Sequence, residues 1–258
     1  MNDAPRPTIL LPIDAHGVSP ASLELLVRIA RQLDATVLGL FVDDTRLERV
    51  ASLPFTTEIV RGSGGERALH SSGVRNRFGR ISEQARQQLD ALARRDRVPL
   101  SYDRVEGPWL AEALQRAAGM RVFLPRRGRS QPVHSAWQPP GTRRAAPRPI
   151  PRLGLLVSDP EEGAPLLEMA GLMQVAGLVD RVTLLSPRAP GAAQRRLQSA
   201  AGAPQWLWYE DASPAGVLKL IRQSPFDLLV VSRHALQGVS PAQLEAALDN
   251  SRSQVLLV

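Results

Sequence analysis

Short apolar runs alternating with amphipathic helical stretches predict an α/β protein with parallel sheets and flanking helices. Three observations carry this reading. The alternation runs through the chain twice. Each half opens with an apolar run closed by an aspartate, at Asp14 and at Asp159, two residues beyond its run. Each half also carries an acidic turn before a later helix, Val105-Glu106-Gly107-Pro108 in the first and Tyr209-Glu210-Asp211-Ala212 in the second. Two Rossmann-like units follow, over 1–124 and 153–258, with a Pro/Arg-rich linker and the eroded end of unit 1 over 125–152.

In unit 1, Ile9 to Ile13 is a continuous apolar run, as a strand covered on both faces requires. Ser19 is a good N-cap, Pro20 fits the first helical position, and Leu23, Leu26, Val27, Ala30 and Leu33 recur at helical spacing. Thr36 to Val42 is the second strand, ended by Asp43-Asp44. A short helix over 45–52 and then a mobile loop are expected, because Gly62 to Gly65 and Ser71-Ser72-Gly73 are loop chemistry. Ile81, Ala85, Leu89 and Leu92 mark the next helix, followed by a strand over 98–105, a helix over 110–117 and a fourth strand over 122–124. Residues 125–152 hold seven prolines and seven arginines, which excludes a long helix or a central strand.

Unit 2 restarts at Leu153 to Val157. It continues through a helix over 161–176, strands at 182–185 and 205–209, a helical stretch over 189–201, a helix from Ser213, a strand over 227–231, a last helix around Leu244 to Leu248, and Val255 to Val258 as a fifth strand. Trp206 and Trp208 share one face of a strand and read as core.

Composition narrows function. The chain has 258 residues, 43% of them hydrophobic, and no apolar run of membrane-spanning length. The N-terminal stretch lacks the apolar core of a signal peptide, so a cytoplasmic location is expected. Cysteine is absent, which excludes disulfides, thiolate nucleophiles and cysteine-held metals. The net charge is +7 with Lys219 as the single lysine. Such arginine excess fits an anionic or nucleic-acid partner, or a coding bias toward Arg, Ala and Pro. Aromatic residues are 4% of the chain, a poor supply for a base-stacking platform. The four histidines lack metal-ligand spacing, and no nucleophile elbow, Walker loop or dinucleotide fingerprint follows a strand. Asp43-Asp44 and Glu161-Glu162 read as punctuation of strand and helix.

Ligands of parallel α/β sheets sit beyond the carboxyl ends of the strands. Asp14 there either accepts hydrogen bonds from a ligand or caps a turn. Pro125-Arg126-Arg127-Gly128-Arg129-Ser130 is either a phosphate-approaching turn or a solvated basic one.

The order strand–Asp, helix, strand ending Val-Asp, helix, strand, helix, strand, glycine turn resembles the universal stress protein superfamily, here in tandem and degenerate. The most similar stretch runs from Phe226 through Ser232-Arg233-His234 and Gly238 to Val255-Leu256-Leu257-Val258. The resemblance implies a five-stranded parallel sheet per unit, and ATP binding in those members that keep Gly, two residues, Gly, nine residues, then Gly-Ser or Gly-Thr. On that pattern Asp14 and Val42 fall at the adenosine contacts. Pro125 replaces the first glycine, Gly128 matches the second beside Arg127, and Gly141-Thr142 stands at the closing pair after twelve residues rather than nine. In unit 2, Ser232 and Ala235 occupy both glycine positions, and a side chain there obstructs close backbone approach to phosphate.

The resulting expectation is a non-enzymatic stress-response regulator working through a protein partner. It requires no cofactor, and ATP is admitted in unit 1 alone. The alternatives are a non-specific arginine-driven nucleic-acid or anion binder and a weak nucleotide hydrolase. The family dimerises through its fifth strand. Unit 1 offers only Ile150 between prolines for that role, so the apolar edge at Val255 to Val258 is expected to pair with another chain or with residues 131–150.

Overall fold

The computed structural model describes residues 6–59, 64–126, 150–157, 160–187, 205–209 and 211–258. In the N-terminal half these form β1 (Thr8–Ile13), α1 (Pro20–Gln32), β2 (Thr36–Asp43), α2 (Thr45–Ser52), β3 (Thr57–Ile59), β4 (Glu66–Ala68), α3 (Ser71–Asp96), β5 (Leu100–Glu106), α4 (Trp109–Arg116) and β6 (Arg121–Leu124). The C-terminal half has β7 (Ile150–Leu156), α5 (Pro160–Val175), β8 (Val179–Ser186), β9 (Gln205–Trp208), α6 (Pro214–Gln223), β10 (Leu228–Val231), a 3-10 turn (Arg233–Leu236), α7 (Pro241–Asp249) and β11 (Gln254–Leu257). Helix starts follow local chemistry. Ser19, Ser213 and Ser240 each accept a backbone N–H two or three positions into the helix, each is followed by proline, and Ser240 with Gln243 forms a reciprocal capping box.

One nine-stranded sheet runs in the order β5-β2-β1-β6-β11-β10-β7-β8-β9. Each half lays its strands in the order third, second, first, fourth, and β11 is added beside β10. Neighbours within each half pair in parallel. The halves meet where β11 pairs antiparallel with β6, through Val255–Leu124, Leu256–Phe123 and Leu257–Val122. All six side chains are fully buried. Phe123 and Leu256 enter the layer under α1, α3 and α5, while Val122, Leu124, Val255 and Leu257 enter the layer under α4, α6 and α7. Both hydrophobic layers contain residues from both halves, so the core is continuous across the junction.

Four expectations are corrected. The apolar C-terminal strand is no exposed edge awaiting another chain. It lies between β10 and β6, and the edge strands are β5 and β9. Unit 1 has no fifth strand of its own among the described residues, so its fourth strand is open to β11. Ile150 belongs to the first strand of the C-terminal half, where it pairs with Val179, so β7 begins inside the expected linker. Finally, α3 starts at Ser71, inside the expected loop, and Phe78 buries its ring two turns before Ala85 on the core-facing side of the helix. The expected loop also contains an antiparallel pair, β3 with β4. The helical stretch expected over 189–201, and most of the linker, lie outside the described residues, as do the side chains of Trp206 and Trp208.

The segment from α2 to β3 exposes apolar surface. Val50, Leu53 and Ile59 are all exposed, and Phe55 is 100% accessible. Phe55 also adopts φ of +68°, a left-handed conformation unfavourable for a bulky side chain. Thr56 closes the turn by donating its hydroxyl to the carbonyls of Val50 and Leu53, each at 3.1 Å.

Two outcomes follow. Leu256→Ala should lower the unfolding free energy by about 2–5 kcal/mol, read from denaturant titration, because it opens a cavity at the junction. A loss well under 1 kcal/mol, on the scale of an exposed substitution, would place β11 outside the core. Phe55→Gly should leave stability unchanged or raise it by about 1 kcal/mol, since it relieves a strained backbone and forfeits no packing. A clear drop in melting temperature would show that the ring is needed for folding.

Candidate functional site

The crevice beyond β1 is flanked by β2 on one side and β6 on the other, where the strand order reverses. Ile13 pairs with Phe41, so the next residues, Asp14 and Val42, stand side by side at the strand ends. The Asp14 carboxylate is buried and accepts the His16 N–H at 3.0 Å, while its carbonyl accepts the Gly17 N–H at 3.0 Å. The turn needs glycine, since Gly17 has φ of +71° and a Cβ there would press on Ile81 at 3.0 Å. Asp14 is therefore at least a turn cap. Val42 is fully buried in the layer under α4, so its side chain points away from the crevice. Arg127, Gly128, Gly141 and Thr142 lie outside the described residues.

The carboxylate pair at the end of β2 is spent on structure. Asp43 holds the Arg104 guanidinium at 2.8 and 3.2 Å, and its carbonyl receives the Gly107 N–H at 3.0 Å. The hydrogen bond to Asp43 pushes the Arg104 guanidinium above its usual range. Asp44 caps α2 through the Arg46 N–H at 2.9 Å and binds the Arg46 side chain. Glu245 of α7 accepts both the Trp109 indole N–H at 2.8 Å and an Arg46 nitrogen at 3.3 Å. A residue of the C-terminal half thus closes over the strand ends of the N-terminal half.

In the C-terminal half, Asp159 lies outside the described residues. In the turn after β10, three successive backbone donors are engaged within the chain. The Arg233 N–H reaches the Val258 carbonyl at 2.9 Å, the His234 N–H reaches the Ser232 hydroxyl at 3.1 Å, and the Ala235 N–H reaches the Ser232 carbonyl at 3.1 Å. A phosphate cradle needs such N–H groups turned outward. Here the Ser232 side chain accepts the His234 N–H and caps the turn.

Beside this turn lies a cavity of about 270 Å³, lined by Arg121, Pro165, Leu166, Met169, Ser232 and Val258. Arg121 is the first residue of β6 and comes from the opposite half. Sequence reading passes over it, because its place depends on the antiparallel register with β11, which local periodicity does not encode. Among the described residues no cluster of three His, Asp or Glu side chains could hold a metal ion, and no helix is long and apolar enough to cross a membrane.

The sequence matches no family profile and no curated protein. A lysine monooxygenase structure from Nocardia farcinica aligns over 98% of this chain and 71% of that chain at 12% identity, but its TM-score of 0.16 carries no argument. The crystal structure of a universal stress protein from Archaeoglobus fulgidus aligns over 97% of this chain and 95% of that chain, at 12% identity and a TM-score of 0.51. The likeness extends over nearly the whole of both chains rather than over one half. The mostly parallel sheet with helices on both faces is thus a fold of the universal stress protein type.

Proposed function

We propose that this chain is a non-enzymatic regulatory protein of the universal stress protein type, built from two diverged copies of one α/β unit and acting through protein contact. The observation that carries the reading is the state of the strand ends. Groups that would face a substrate in a catalytic α/β protein are engaged within the chain: Asp43 on Arg104, Asp44 on α2, and Ser232 on the turn after β10. The repeated strand order supports the tandem origin. The exposed cluster of Val50, Leu53, Phe55 and Ile59 supports a protein partner, since apolar surface retained on a strained backbone serves no folding purpose.

In this reading an adenine nucleotide belongs to the N-terminal half, beside Asp14 and Val42, and is not required for the fold. In this reading the C-terminal half takes none, because Ser232 and Ala235 stand at the two glycine positions and the Ser232 side chain caps the turn. The nucleic-acid alternative has less support. Arginines of the described surface are widely paired with carboxylates: Arg31 with Asp96, Arg86 with Asp90, Arg95 with Asp96 and Glu24, Arg104 with Asp43, Arg116 with Asp103 and Arg152 with Asp227. Among the described residues, charge paired at these points is withdrawn from any phosphate-binding surface.

Calorimetric titration of the full chain with magnesium and ATP should give no more than one site per chain, and phosphate release should not exceed that of buffer. Two sites, or steady turnover lost on Asp14→Ala, would defeat the proposal.

A further inference from the structure

Arg121 stands where arginine is unfavourable. It opens the apolar strand Arg121-Val122-Phe123-Leu124, and Val122 faces Leu257 in the antiparallel ladder. The register therefore carries Arg121 alongside Val258, on the sheet face covered by α5. Its Nη1 atom is buried and has no hydrogen-bond partner, and among the described residues its guanidinium meets no carboxylate. A guanidinium cannot shed its proton to escape burial, so the orphaned donor is a standing cost to the fold. Burial pulls its proton affinity below the usual range. The neighbouring Arg233 is in the same condition: it donates to the Met120 carbonyl, meets no carboxylate among the described residues, and is likewise lowered by burial. Among the described residues, these two half-buried guanidinium groups thus have no side-chain carboxylate as a counter-ion.

The remaining walls are of a different kind. Pro165, Leu166 and Met169 of α5 and the Val258 side chain present carbon and sulfur. The Val258 backbone is occupied, with its N–H on the Val231 carbonyl at 3.1 Å and its carbonyl on the Arg233 N–H at 2.9 Å. Ser232 uses its oxygen to accept the His234 N–H, which leaves its hydroxyl proton as a second donor. A lone water would find few further partners against such walls.

We propose that this cavity binds a small apolar carboxylic acid, with its carboxylate on Arg121 and Ser232 and its hydrocarbon part against α5. The volume of about 270 Å³ suits a compact ligand. A carboxylate needs only the donors present, whereas a phosphate would need the backbone N–H groups already engaged around Ser232. The site goes beyond the protein-contact reading and stands or falls separately from it. It is assembled from both halves, with Arg121 from β6 and the other lining residues from the C-terminal half, so an occupant would bridge the junction.

The test is thermal unfolding of the full chain with sodium octanoate, against 1-octanol and sodium phosphate at matched ionic strength. Octanoate should raise the melting temperature saturably, and neither control should. Arg121→Met should still fold, because it removes the orphaned donor and keeps the stem, and it should weaken octanoate binding by about tenfold or more, the effect of a lost charged hydrogen bond. Arg121→Lys should retain the response. Absence of a saturable shift would overturn the proposal, as would an equal shift in Arg121→Met or an equal response to octanol or to phosphate. The wild-type comparison of octanoate with octanol decides the matter even where a variant fails to fold.

Discussion

The antiparallel ladder between β6 and β11 is the contact on which the rest of the molecule depends. Three residue pairs form it, and every one of their side chains is fully buried. Without β11, the backbone groups along one side of β6 and of β10 would face each other across a gap in the middle of the sheet, dry and unpaired, which costs far more than an open strand at the rim. The C-terminal segment therefore serves both halves. It completes the parallel order of its own half and supplies the strand that the first half lacks. The outer edges fall on β5 and β9, and on β5 the charged residues Asp103 and Arg104 blunt further pairing.

Because that one ladder is antiparallel, the strand ends of the two halves lie on opposite rims of the sheet, and each rim is completed by the other half. On one rim, Glu245 of α7 reaches Trp109 and Arg46 beside the ends of β1 and β2. On the other, Arg121 and the Met120 carbonyl meet Val258 and Arg233 beyond β10. Ligand positions that a single α/β unit would build alone are shared here. The two rims are chemically unlike. One offers a turn-capping carboxylate at Asp14, and the other offers desolvated arginines over apolar walls.

Much of this architecture is legible in the sequence. Apolar runs place nine of the eleven strands and caps such as Ser19, Ser213 and Ser240 place helix starts, because both depend on neighbours in the chain. The failures share a cause. Gly73 disguises the first turn of α3, whose position is fixed by burial of Phe78 against distant residues. The prolines around Ile150 read as linker, although Ile150 pairs with Val179 at a place set by the sheet. The partner of β11 is a long-range choice, and no local pattern distinguishes pairing with another chain from pairing with β6. Arg121 is the sharpest case. In sequence it is one arginine among many, and only the register of the ladder puts it in a cavity.

That contrast bears on how the positive charge of the chain should be read. A net charge of +7 invites an account based on numbers of arginines. In the folded chain several surface arginines have carboxylates within reach and stay hydrated, so each of these contributes little to stability. Arg121 and Arg233 differ in kind. Both are partly withdrawn from water, and among the described residues neither has an acidic partner. The attraction of a guanidinium for an anion grows as the surrounding dielectric falls, which sets these two half-buried groups apart from the exposed ones. In the proposed reading, anion binding is then a property of one corner of the fold rather than of the whole surface. That corner exists because β11 runs against β6, and a chain with the same composition but a parallel junction would not contain it.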